Sequence, residues 1–276
     1  MHAEAALNCR TSTLVGVGGR EGTGAELSRA ARVPTMDLET MIAASDALVI
    51  ATPPDAVAAT VEVIGDRVGA LLIEAPLPAS FPTPGVPAMI GANLLHAPIV
   101  RAGLAAIERM EPHHLQLRST MPRPSWGTHD TEAYGGPLLD PGARLLPVLL
   151  AAAGSSVIAA EQHDFGPDGA TRVTLELGDG RTVEMRSQWV DGSATAELEA
   201  ADATGVVHVS FFPTPRLEVD GRPADADDTA AANALGFVNQ IDRLARVARG
   251  QAEPWLPLSS GQGVRLLLDE VSGDAG

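Results

Sequence analysis

The sequence predicts an α/β protein in two parts: a domain built on a parallel sheet, then an α+β domain with a largely antiparallel sheet. Three observations predict it. The first ninety residues alternate short apolar runs with helix-like segments, which is the pattern of βαβ units. The stretch Ala75–Pro87 then holds five of the 21 prolines, so it reads as a connection leaving the sheet. After it, alternating strands joined by glycine turns take over.

Within the first part, Leu14–Val17 is a strand candidate and Thr23–Arg32 a helix closed by Val33-Pro34. Asp37–Ser45 reads as a second helix with Asp37 as its N-cap, where a carboxylate accepts from the first free amides. "DALVIAT" (46–52) is a continuous apolar run, as a strand buried on both faces needs, and Pro53-Pro54 stops it. Asp55–Ile64 is a third helix and Ala70–Ile73 a further strand. In the second part, Ala97–Arg109 and Pro137–Ala153 carry helical patterns. Pro141 is placed in the first helical turn, where a missing N–H is tolerated. His113-His114 begins a strand-like run whose two rings point to opposite faces, so no metal site is expected there. Residues 171–189 hold two strands about Gly178-Asp179-Gly180, a hairpin signal. "GVVHVSFF" (205–212) and "PRLEVDGRP" (215–223) continue in that style. Phe237–Arg249 and Gly263–Glu270 close the chain as helices. The expected domains are residues 1–92 and 93–276, the closing helices over 237–276 going with the second.

Composition narrows the function. Aromatic residues are 3% of the chain, so the core is built from Ala, Leu and Val. The net charge of −16 argues against nucleic acid or an anionic membrane as partner. All 19 basic residues are arginine, which a GC-rich coding bias explains. Without lysine, a Schiff base, a lysine acid and a phosphate-loop lysine are all excluded. Cys9 is the single cysteine, so neither an intrachain disulfide framework nor a cysteine zinc site is expected, and the compartment reads as reducing and cytoplasmic. "MHAEAALNCR" has no signal-peptide pattern, and the longest apolar run, Leu145–Ala153, is too short to span a bilayer.

Five pieces carry a family resemblance: "DALVIATPPD" (46–55), "LLIEAPLP" (71–78), "GANLLHAP" (91–98), "GGPLLDPGARLLPVLLAAAG" (135–154), and "FVNQIDRLARVARGQAEP" (237–254) with the following "GQGVRLLLDE". In this order they resemble the Gfo/Idh/MocA family, the glucose–fructose oxidoreductase and inositol dehydrogenase group, over nearly the whole chain. The resemblance implies a Rossmann-type first domain, NADP or NAD as cofactor, and hydride transfer on a small sugar-, polyol- or related carbonyl compound. The first piece resembles the family's Thr-Pro turn beside the nicotinamide, which implies Thr52 and Pro53 at the cofactor. The second resembles a strand ending in Glu-Lys-Pro and implies Glu74 there. The third resembles the step into the second domain and implies Asn93 and His96 toward the substrate.

The fourth piece resembles the family's Gly-Gly, Asp and His helix. In the family the lysine and that histidine form the proton relay. Here Ala75 and Arg144 stand at those positions, while Asp140 is kept. Alanine cannot transfer a proton, and arginine holds its own at ordinary pH. Asp140 and Arg144, four residues apart on one helix face, form either the charged floor of a substrate pocket or an ordinary ion pair. Tyr134, the only tyrosine, is a substitute proton carrier, and His96 and His129 flank the same region. Each of these three is read more simply as a packing or surface residue.

"STLVGVGGREGTGAELSRAA" (12–31) has two readings. In one, Gly16-x-Gly18-x-x-x-Gly22 is a phosphate-binding loop after the first strand. In the other, this is the second strand, and Gly18 and Arg20 sit on the ribose side of the cofactor. The following Val-Pro and Asp-Leu-Glu favour the second reading. So does "MHAEAAL", which resembles the end of the family's first helix. It implies an incomplete Rossmann-type parallel sheet without its first strand and glycine loop, and weakened dinucleotide binding. Arg20 in place of a ribose-binding acid tilts the preference toward NADP, and Glu21 opposes that tilt.

The expected function is therefore an NAD(P)-dependent oxidoreductase with an altered proton relay. The alternative is a catalytically inactive binding or assembly protein on the same scaffold. No residue singles out a non-redox lyase or isomerase. The family's second-domain sheet pairs subunits, which implies a homodimer or homotetramer through that sheet.

Overall fold

A computed structural model describes residues 1–19, 23–78, 81–122, 136–165, 170–224 and 231–272. The chain forms two compact units, Met1–Asn93 with Ala230–Gln262, and Leu94–Thr229 with Gly263–Gly276.

The first unit contains α1 (His2–Asn8), α2 (Thr23–Ala31), α3 (Leu38–Ala44), β1 (Ala47–Ile50), α4 (Pro54–Ile64), β2 (Ala70–Glu74) and β3 (Ala88–Gly91). It is completed by α7 (Ala231–Ala234) and α8 (Phe237–Ala248). The three strands form a parallel sheet in the order β1-β2-β3, with Ile50, Ile73 and Ile90 in register. β2 is central, and Ala70 to Ile73 are fully buried, which is why its sequence is apolar without alternation. Asp37 caps α3, its carboxylate accepting from the Thr40 amide at 2.7 Å.

The domain division differs from the sequence reading because of α8. Its Ile241, Leu244 and Val247 are buried with Ala70, Leu72 and Met89 of the sheet and with Ala5 and Cys9 of α1 and its end. Apolar burial thus joins residues 230–262 to the first unit rather than the second. The Leu14–Val17 strand also requires correction. Only Val17 pairs, in an isolated parallel bridge with Thr35. Its N–H donates to the Pro34 carbonyl and its own carbonyl accepts from Met36. Pro34 has no N–H to offer Val15, so the ladder stops there. β3 is a strand the sequence reading did not place. It is four residues long and follows the proline-rich stretch directly.

The second unit contains α5 (Pro98–Ile107), β4 (His114–Pro122), α6 (Gly136–Ala153), β5 (Val157–Phe165), β6 (Ala170–Leu177), β7 (Thr182–Val190), β8 (Thr195–Ala201), β9 (Val206–Phe212), β10 (Arg216–Val219) and β11 (Arg222–Pro223). α9 (Leu258–Ser272) crosses the division between the units at Gln262. The strands form one eight-stranded sheet in the order β11-β10-β9-β8-β4-β7-β6-β5, antiparallel except for β4 beside β7. Along β6, β7, β8 and β9 alternate residues, including Leu175, Leu198, Val209 and Phe211, are buried on one face, as is Leu117 of β4. That face lies against helices. Gly103 of α5 sits on Val209, where a side chain would collide, and Gly142 of α6 faces Met185.

α6 starts at Gly136, so Pro141 falls in its second turn rather than its first, and Pro147 lies further inside. Each proline removes one helical hydrogen bond. The helix persists because Leu145, Leu146, Val148 and Leu149 are buried almost completely. Among the described residues, no helix is long and apolar enough to cross a membrane.

Candidate functional site

Parallel strands in register end together, so one edge of the first sheet collects three chain turns. β1 runs into Ala51-Thr52-Pro53, β2 into Glu74-Ala75-Pro76, and β3 into Gly91-Ala92-Asn93. In open α/β sheets this carboxyl edge is where ligands bind. The structure thus brings together Thr52, Pro53, Glu74 and Asn93, which the sequence assigns to the cofactor and substrate. Thr52 is exposed and Pro53 half-buried, immediately before the first turn of α4.

Glu74 is held from two sides. Its Oε1 lies 2.9 Å from Nε2 of His2 on α1. Gly91 is its register partner on β3, and a side chain at Gly91 would overlap the Glu74 carboxylate. The His2 ring meets the Phe237 ring edge-on, with centroids 5.1 Å apart. Ala75, next along, is buried and brings no ionisable group to this edge.

Asn93 opens a 3-10 turn, Asn93–His96. Its Nδ2 donates to the Leu235 carbonyl at 2.8 Å. Gln240 of α8 is fully buried beneath this turn. With its amide in the orientation the neighbours require, its oxygen accepts from the Ala92 N–H at 3.0 Å and the Asn93 N–H at 3.3 Å. The sequence reading missed both His2 and Gln240. A signal for Gln240 was present: it falls on the same helical stripe as Phe237 and Leu244, where an apolar residue is expected.

The other candidates lie elsewhere. Gly18 packs against Met36 and Met41. His96 is buried within the 3-10 turn. In the second unit, Asp140 and Arg144 lie one turn apart on α6 and Arg144 is half-buried, while the Asp140 side chain is outside the described set. Arg20, His129 and Tyr134 fall outside the described residues. Among the described residues, no group of three His, Cys, Asp or Glu side chains is placed to hold a metal ion, and His113-His114 is not part of one.

No family model matches the sequence, and no curated protein matches it. Solved structures do match. GenD2 from gentamicin A biosynthesis, in complex with NAD, superposes with a TM-score of 0.81 at 16% identity, covering 100% of this chain and 91% of that one. UDP-N-acetylglucosamine 3-dehydrogenase GnnA from Acidithiobacillus ferrooxidans gives 0.78 at 15% identity, covering 99% and 92%. An oxidoreductase from Agrobacterium radiobacter, in complex with NAD+, L-tartaric acid and magnesium, gives 0.77 at 14% identity, covering 100% and 93%. The parallel sheet with its carboxyl-edge turns and the eight-stranded sheet backed by α5 and α6 together give this chain the fold of the Gfo/Idh/MocA-type dehydrogenases.

Proposed function

We propose that the protein is an NAD(P)-dependent oxidoreductase acting on a small hydroxyl or carbonyl compound, sugar- or polyol-like, through a proton relay other than a lysine–histidine pair. The observation that carries this is the likeness, over 99–100% of this chain, to a nucleotide-sugar dehydrogenase and to GenD2 and an oxidoreductase solved in complex with NAD or NAD+. The carboxyl edge supports it, because Thr52, Pro53 and Glu74 lie at the ends of neighbouring parallel strands, where open α/β sheets bind ligands. When bound, the cofactor supplies the hydride chemistry. This chain's residues bind and orient: Thr52, Pro53 and Glu74 toward the cofactor, with Gly18 and Arg20 on its ribose side. We assign Asn93, with His96 buried behind it in the same turn, to the substrate, and Asp140 with Arg144 to its polar groups. Asp55, in the first turn of α4, places negative charge where a phosphate would otherwise be attracted. The pyrophosphate is therefore not assigned to that helix end.

Proton transfer is the open part of the relay. Ala75 removes one carrier and Arg144 is a poor one, which leaves Tyr134 or His129 to move the proton. The same observation favours a second reading, an inactive binding or assembly protein. Titration of the purified chain with NADH and with NADPH, followed by fluorescence and calorimetry, separates them. Micromolar binding with turnover of a nucleotide sugar, inositol or hydroxy acid at 340 nm is the expected result. Binding without turnover of any such compound favours the second reading, and no binding of either nucleotide overturns the first. A homodimer or homotetramer through the eight-stranded sheet belongs to the proposal, and so does a reducing, cytoplasmic location, which suits the free cysteine Cys9.

A further inference from the structure

The face of the eight-stranded sheet turned away from α5 and α6 is charged in two rows. Cross-strand register sets Arg172 on β6, Arg186 on β7 and Arg118 on β4 side by side. Glu197 and Ser210 continue this row to Arg216 on β10. Two residues further along every strand runs the second row, which holds Glu161, Glu184, Glu199 and Glu218, with Thr174, Gln116 and His208 between them. The first row therefore has four arginines against one glutamate, and the second has four glutamates and no arginine. Strand rise puts the rows about 7 Å apart. Apart from Gln116, these side chains are half-buried or exposed.

Contacts inside one chain use only part of this charge. Arg186 Nε donates to Glu184 Oε1 at 2.6 Å, and Arg172 Nη1 lies 3.7 Å from the other Glu184 oxygen. Arg118 Nε donates to the side-chain Oε1 of Gln116 at 2.7 Å. Glu197 pairs with His208 at 3.1 Å, and Glu199 lies 3.4 Å from His114. The Arg118 and Arg186 side chains remain more than half exposed, at 53% and 52%.

Two parallel rows of opposite sign have a symmetry consequence. A two-fold axis lying along the boundary between the rows exchanges them, so a second copy presents its glutamate row to this copy's arginine row, and the reverse. We propose that a second copy of this chain docks on this face in that one register. The proposal rests on the homo-oligomer reading above and adds its register and its charge dependence. Exposed ion pairs are individually weak, so the rows set orientation and partner choice more than raw affinity.

The test uses two double variants, Arg118→Glu with Arg186→Glu, and Glu184→Arg with Glu199→Arg, each confirmed as folded by circular dichroism. In the first the arginine row turns acidic, and in the second the glutamate row loses its net charge, so sedimentation velocity should show each associating about tenfold more weakly than the parent. Mixing them should restore the dimer as a heterodimer, because the glutamates introduced in one variant now face the arginines introduced in the other. Folded variants that associate like the parent, or a mixture that stays monomeric, overturn the register while leaving the oligomer reading intact. A parent chain that is monomeric at high concentration overturns both. If a variant does not fold, the parent decides: association should weaken about tenfold between low and high salt. A salt-independent dimer overturns the proposal.

Discussion

Single side chains shape the carboxyl edge of the parallel sheet. Gly91 leaves the space that the Glu74 carboxylate fills, so the pair acts as one lock on the ends of β2 and β3. Gly91→Ala should destabilise the protein by about 1–3 kcal/mol, the usual cost of overpacking, read from the urea midpoint. Gln240 accepts from the Ala92 and Asn93 amides where the chain passes from β3 into the 3-10 turn, Ala92 also donating to the Ile90 carbonyl. Gln240→Leu removes the side-chain acceptor of the Asn93 amide, while Ala92 keeps the Ile90 carbonyl, and should cost about 1–3 kcal/mol. Hydrogen exchange at Ala92 and Asn93 should accelerate more than the global loss of stability explains, because the substitution acts on that turn first. Neither residue touches the reaction in the proposed function. They hold Asn93 where it can act.

At the scale of elements, ends and faces behave differently. The N-terminus of α3 is held by Asp37, whose carboxyl lies below its ordinary value because the Thr40 amide and hydroxyl donate to it. Glu39 in the same turn is lowered by its hydrogen bond and charge contact with Arg67. For a lowered acid, the stabilisation is complete above the unfolded-state pKa of roughly 4 and is lost as pH falls through the folded value. The α3 terminus should therefore loosen below about pH 4 and be insensitive to pH between 6 and 8. Amide shifts of Thr40 across a pH titration report it, and Asp37→Asn should flatten the curve. The sheet face that meets α5 and α6 depends on packing instead. Phe211 is fully buried there, and Phe211→Ala should cost about 3–5 kcal/mol, measured by chemical denaturation.

For the whole molecule, each unit has its own sheet and core, and the chain leaves the first unit at Asn93 and returns to it at Ala230. Stability of the first unit is thus linked to whatever binds its carboxyl edge. Under the proposed function, NADH or NADPH at 100 times its dissociation constant should raise the unfolding free energy by about 2.7 kcal/mol, seen as a rise in melting temperature. At the same concentration a ligand without the nicotinamide ring should give less, because it binds more weakly without the contacts to Thr52, Pro53 and Glu74.

Much of the architecture was legible because it is written in local patterns. The apolar run of β1 and β2, the Asp37 cap and the glycine turn between β6 and β7 each follow from a few adjacent residues, and the helix at "MHAEAAL" agrees with a resemblance visible in the same residues. The positions of Thr52, Pro53 and Glu74 at strand ends also follow, since β1 and β2 were placed, whereas Asn93 joins that edge only through β3, which the structure revealed. Other features depend on contacts between distant residues. Pro34 stops the ladder at Val17, α8 joins the first unit through Ile241 and Leu244, and Pro141 is carried inside a helix whose apolar side is buried. His2 reaching Glu74, Gln240 reaching Asn93, and the rows of arginine and glutamate are of the same kind. Sequence alone determined most of the elements, their order and the chemistry available to them, though not β3 or the single bridge at Val17. Tertiary structure decided which residues of different elements meet, because register, burial and close approach are properties of pairs of segments and not of either segment alone.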